Sequence, residues 1–217
     1  MAEANTTQTR LAFSIVKTLL REISQCSVCA AHLPHGPRPV LAASAQSRIL
    51  IIGQAPGRKV HESGVPWQDQ SGDNLRAWLG VDAKTFYDPE IFALMPMGFC
   101  YPGAGKSGDL PPRPECAPLW HLQLLAQMKS VKLTLLIGQY SQAHYLGERA
   151  RENLTKTVRH FRDYLPRYLP LPHPSPRNRI WMKRNPWFEK ELLPVLKKIV
   201  AALANSGAPV SDPARTD

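Results

Sequence analysis

His173 stands among prolines in Leu169-Pro-Leu-Pro-His-Pro-Ser-Pro-Arg-Asn178. An imidazole in such a segment either serves a ligand or caps a turn. A second stretch, Gly53-Gln-Ala-Pro-Gly57, sets two glycines around a proline. Glycine lets backbone approach a ligand closely, and proline stiffens the loop. Four cysteines form a third group: Cys26-x2-Cys29 early in the chain, then Cys100 and Cys116 with fifteen residues between them. In a cytosolic chain such thiols are ligands or core residues rather than disulfides.

These groups need elements to hold them. Ile49 to Ile52 is an unbroken apolar run, bounded by Arg48 and Gly53. It reads as a strand buried on both faces, as in a parallel sheet. Ligands bind beyond the carboxyl ends of such strands. Lys132-Leu-Thr-Leu-Leu-Ile-Gly138 reads as another buried strand, Ile91 to Met97 as a further one, and Leu169 to Leu171 as a short strand feeding His173. Helices are expected over Leu11–Ile23, from Ser71-Gly-Asp-Asn74 to Gly80, and over Leu119–Met128, Ser141–Leu146 and Pro186–Leu203. Residues 30 to 47 and Cys100 to Cys116 read as loops. The alternation predicts an α/β fold, a three-layer α/β/α sandwich around a mainly parallel four-stranded sheet. One domain should span residues 10–204, after a disordered 1–9 and before a flexible 205–217.

The 217 residues carry a net charge of +10 and a pI near 9.7. That balance favours a polyanionic partner, with nucleic acid ahead of membrane. No long apolar run could span a bilayer, and residues 1 to 10 lack a signal-peptide pattern, so a cytoplasmic protein is expected. Pro102-Gly-Ala-Gly-Lys-Ser107 has part of a phosphate-loop pattern, but the position of its first glycine is Cys100 and no buried strand leads into it.

Gly53-Gln-Ala-Pro-Gly57 and His173-Pro-Ser-Pro-Arg-Asn178 together resemble the two signature motifs of the uracil-DNA glycosylase superfamily. The cysteine framework is most similar to its iron–sulfur branches, families 4 and 5. The resemblance implies an enzyme that flips a deaminated base, uracil or a relative, into a pocket and hydrolyses its N-glycosidic bond. The partner would be DNA, single- or double-stranded, and the protein a monomer. Lacking a lysine in either motif, it would be monofunctional. His173 would donate to the base carbonyl as charge builds there, with Ser175 beside it.

Family 4 carries a glutamate at the second position of the first motif, where this chain has Gln54. Gln54 can orient water but cannot take its proton. Asp69, in a segment similar to the Asp-x-Ser-Gly-Asp of family 5, is the other candidate, and its alternative is a helix cap. Gly53, Ala55, Pro56 and Gly57 would line the base pocket, and Trp67 would stack the base or else fill the core. The family-4 base-reading asparagine is replaced by Pro96, which leaves backbone groups of Met97 and Gly98 for that task. Arg58, Arg177, Arg179 and Lys183 would meet phosphates, and Pro176 to Arg179, with Asn178, would fill the gap left by the flipped base. Cys26, Cys29, Cys100 and Cys116 would hold a [4Fe–4S] cluster, with zinc or a metal-free core as alternatives. Two competing functions are a nucleic-acid-binding protein of this fold without catalysis and an iron–sulfur redox sensor.

Overall fold

A computed structural model describes residues 2–206 of the chain, with side chains from residue 10 onward. The first helix, α1, runs Ala2–Ser24. It therefore includes residues expected to be disordered ahead of Leu11. Strand β1 is Ile49–Ile52, and the short helix α2, Arg58–Ser63, lies inside the stretch expected as loop. Helices α3 (Gln70–Leu79) and α4 (Ala83–Phe86) precede strand β2 (Phe92–Leu94). A tight hairpin, β3 (Ala104–Gly105) and β4 (Gly108–Asp109), interrupts the loop between Cys100 and Cys116. A π-helical turn, Ala117–His121, runs into α5 (Leu122–Gln127). Strand β5 (Leu133–Ile137), helices α6 (Gln139–Leu146) and α7 (Leu154–Arg159), and strand β6 (Tyr168–Leu171) follow. Helix α8 is Arg179–Arg184, and α9 is Leu193–Asn205 after a π-helical turn at Phe188–Leu192. Most of the expected tail, residues 207–217, lies outside the described residues.

The four main strands form one parallel sheet in the order β2-β1-β5-β6. Every residue of β1 and β5 is buried, as strands covered on both faces require. Ile49 and Ile51 enter a core with Leu75 and Phe188, and Leu50 and Ile52 enter the opposite core with Ile23 and Leu124. The period-2 alternation thus feeds two cores, and the three-layer architecture follows. Strand β2 is shorter than expected because the chain bends at Pro96, though Met95 still donates to the Ile51 carbonyl at 2.9 Å. Pro170 is tolerated because β6 is an edge strand. Among the described residues no helix is long and apolar enough to cross a membrane.

Candidate active site

Beyond β1 the chain turns at Gly53. A Cβ there would lie 2.8 Å from Cζ2 of Trp67, so only glycine lets the indole rest on the turn. The Gly53 carbonyl accepts from Met97 N–H at 2.9 Å, and the Gln54 carbonyl accepts from Gly98 N–H at 3.0 Å. The Gln54 side-chain amide donates to the Leu110 carbonyl at 3.4 Å.

Trp67 holds a left-handed backbone, φ 58°, which is strained for a bulky residue. Its carbonyl would lie 1.7 Å from a Cβ on Gly72, so α3 can start only because Gly72 has none. Asp69 caps that start by accepting from Gly72 N–H at 2.9 Å. Besides capping the helix, Asp69 lines the space beside His173.

His173 follows β6 in a loop tied at two points. Asn74 donates to the Pro174 carbonyl at 2.8 Å, and Asn178 donates to the His173 carbonyl at 2.7 Å. The His173 ring stands 5.9 Å from that of Trp67, tilted by 34°. Burial pushes the imidazole below its ordinary pKa, and the nearby Asp69 charge opposes that without reversing it. His173 is therefore neutral near pH 7 and has one N–H to give.

All of this surrounds one cavity of about 450 Å³. Its walls include Gly53, Gln54, Ala55, Pro56, Gly57, Trp67 and Asp69 from the first half of the chain. His173, Ser175 and Arg177 come from the second. The two distant motifs do meet. Met97 and Gly98 are absent from the wall, and their N–H groups are spent on Gly53 and Gln54. Those N–H groups are therefore not free to read a base, and only the carbonyls of Met97 and Gly98 remain for that task. Leu94 and Pro96 face the cavity instead. Asn178 braces the His173 loop through its bond to the His173 carbonyl and lies off the cavity wall. Arg58, Pro176, Arg179 and Lys183 lie off the cavity wall, and Arg58 pairs with Glu62 at 2.9 Å. Ser107, Gly108 and Asp109 of the hairpin complete the wall, and none was a candidate from sequence.

Residues 41–197 match the family model of the uracil DNA glycosylase superfamily. The chain belongs to that superfamily. The matched span holds both motifs, Trp67, Asp69 and the hairpin, so the cavity is built wholly from superfamily sequence apart from Val40.

The four cysteines converge at a second, much smaller cavity of about 10 Å³, shared with Phe99, Arg113 and Trp120. Cys29, Cys100 and Cys116 are buried and Cys26 is half-buried. Burial pushes the Cys100 thiol up to about 11 and the Cys116 thiol up to about 12. Cys29 Sγ lies 3.6 Å from Glu115 Oε2, and Arg113 Nε donates to the same carboxylate oxygen at 3.2 Å. Among the described residues no group of three or more His, Cys, Asp or Glu side chains is set to hold a single metal ion.

One further residue was missed in the sequence. His121 is buried with its Nε2 at 3.1 Å from the Pro96 carbonyl. A carbonyl only accepts, so Nε2 carries the proton and Nδ1 accepts from the Tyr145 hydroxyl at 2.6 Å. Burial pushes this imidazole down to about 4, so it stays neutral while propping the cavity wall at Pro96.

Proposed function

We propose that the protein is a monofunctional DNA glycosylase that extrudes a deaminated base, uracil or a relative such as hypoxanthine, and hydrolyses its N-glycosidic bond. The observation that carries this reading is a neutral His173 beside Trp67 on the wall of a 450 Å³ cavity. A space of this size suits a nucleobase with its sugar. The bond breaks with negative charge on the base and positive charge on the sugar. The His173 N–H stabilises the first, and a preorganised donor of this kind is worth roughly 3 kcal/mol. Carboxylates at Asp69 and Asp109 favour the second. Trp67 offers a ring face to the base. No lysine lines the cavity, which supports direct hydrolysis over a Schiff base.

The four cysteines line one small cavity, and a [4Fe–4S] cluster takes one thiolate on each of its four irons. Zinc, which takes four thiolates on one ion, is the chemical alternative. Cys26, Cys29, Cys100 and Cys116 would hold the cluster, and it would pin the end of α1 to the segments around Cys100 and Cys116. When bound, such a cluster can also exchange an electron.

The test is an oligonucleotide panel, single- and double-stranded, carrying uracil, hypoxanthine or xanthine, with alkali cleavage after incubation. The wild-type chain should release at least one base, and His173→Asn should slow release by about 10²–10³-fold. Retarded mobility without base release would favour the non-catalytic binding protein, a reading motivated by Gln54 and Pro96.

A further inference from the structure

The Gln54 side-chain amide turns one N–H toward the Leu110 carbonyl, at 3.4 Å. Leu110 is the residue after Asp109. The second position of the first motif therefore tethers a hairpin that carries a carboxylate of its own. Asp109 ends β4, paired with Ala104 across the hairpin. Leu110 N–H donates to the Gly103 carbonyl at 2.9 Å, which fixes the hairpin's exit. Arg177 donates to the Ser107 carbonyl at 3.4 Å, which holds its tip against the second motif. The Tyr101 hydroxyl lies near the Asp109 carboxylate and favours its ionised form. Oδ2 of Asp109 lies 3.4 Å from the place a Gly57 Cβ would take, so this carboxylate reaches over the first motif. It lines the cavity with His173 and Asp69 and remains open to solvent.

Resting on the glycosylase reading, we infer that Asp109 is the carboxylate that holds and deprotonates the attacking water. The C1′–N bond breaks with its electron pair leaving on the base. The water oxygen bonds to C1′ and gives one proton to the Asp109 carboxylate. That proton passes through solvent to the departed base, so water has added across the bond and Asp109 is again ionised. Gln54 then acts as a positioning residue, through the Leu110 carbonyl. Tyr101, Arg177, Asp69 and, across the cavity, His173 are the titratable and charged groups that face Asp109. Partial desolvation on the cavity side raises the Asp109 carboxyl above its ordinary value, and the Asp69 charge raises it further. The Tyr101 hydroxyl and Arg177 act the other way without cancelling the rise. A base poised nearer neutrality suits the task.

The experiment is single-turnover base release by the full chain, on whichever oligonucleotide of the panel the wild type cleaves. Asp109→Asn should lower the rate by about 10²-fold or more, with binding to the lesion strand retained. The acid limb of the wild-type pH profile should lie above the ordinary aspartate value and vanish in Asp109→Asn. Asp73→Asn, on the exposed side of α3, should change neither. Tyr101→Phe removes the hydroxyl that favours the ionised carboxylate, so it should move the acid limb to higher pH; it keeps the assignment testable even if Asp109→Asn does not fold. Asp109→Asn activity within about threefold of wild type, or an unmoved acid limb in Tyr101→Phe, overturns the assignment while leaving the glycosylase reading intact. A wild-type chain that releases no base from any strand overturns both.

Discussion

Two cavities share the same pieces of chain and differ in almost everything else. Pro37 and Pro39 line the cysteine cavity, and Val40, one step on, lines the open one. Leu94 and Pro96 face the open cavity, while Phe99 and Cys100 face the closed one. Val40 N–H donates to the Phe99 carbonyl at 2.8 Å and binds the two segments where they cross over. The open cavity, about 450 Å³, displays an imidazole, two carboxylates and a guanidinium. The closed one, about 10 Å³, is walled by sulfur, rings and prolines. A wall that must admit a base and a water needs polar groups whose hydrogen bonds are not already spent. A wall that serves stability can close on itself. The difference separates substitutions that stop chemistry from those that melt the protein.

The largest effect outside the active site is expected at the closed cavity. Cys116→Ser would remove one thiolate of the proposed cluster, and it puts a hydroxyl among apolar neighbours. Losing a buried metal ligand of this kind costs on the order of 3 kcal/mol, which lowers Tm by about 6–12 °C in a chain of this size. Chain purified anaerobically should be brown and the variant colourless. Base release should fall only through the folded fraction. A colourless wild type, with Tm shifted by less than about 2 °C in the variant, would remove the cluster and make this cavity an ordinary corner of the core.

The contrast between the cavities also explains what could be read from sequence. Strands at 49–52 and 133–137 were legible because burial on both faces leaves an unbroken apolar run. His173, Gly53 and Trp67 were legible because their neighbours restrict them: prolines around the first, and a turn glycine under the indole for the others. Asp109 was not. A lone acid in a Gly/Pro-rich loop carries no local pattern, and its place over Gly57 arises from a hairpin of two-residue strands. Counting back from Cys100 found the right stretch, but the sequence does not show that the Met97 and Gly98 N–H groups turn to Gly53 and Gln54. The helices at Arg58–Ser63, Leu154–Arg159 and Arg179–Arg184 are too short to show a helical period.

The next effect tests how far the two regions are independent. His121 follows the turn that starts after Cys116, yet it props Pro96 on the open cavity. Its folded pKa, about 4, lies below the ordinary value of 6.5. Between these values the unfolded chain binds the extra proton, so stability is full above pH 6.5 and is lost as pH falls toward 4. The loss from this group approaches roughly 3 kcal/mol at the acid end. His144 and Tyr145 are the titratable neighbours, and neither supplies a negative charge near pH 5 that would rescue the cation. His121→Phe should lower stability at pH 7 and flatten this part of the acid transition, read from urea midpoints across pH. An unchanged slope would free His121 from that role and leave the Pro96 wall held by packing.

The smallest effect is expected at the rim. Arg177 is exposed, tied only to the Ser107 carbonyl, and lies where the second motif meets the hairpin. Arg113 is the matching cation of the closed cavity, but it is bound to Glu115 beside Cys29. If the open cavity is where DNA lies, Arg177→Ala should weaken binding alike for every lesion base, because phosphate contacts carry no sequence information. It should also make the plot of log affinity against log salt shallower by about 1, the share of one phosphate. Arg113→Ala should leave that slope alone, since its charge is already paired. Equal slopes for Arg177→Ala and wild type would assign Arg177 to bracing the hairpin and move the phosphate track toward Arg179 and Lys183. A slope changed by Arg113→Ala instead would put DNA across the cysteine face and dissolve the division of labour between the two cavities.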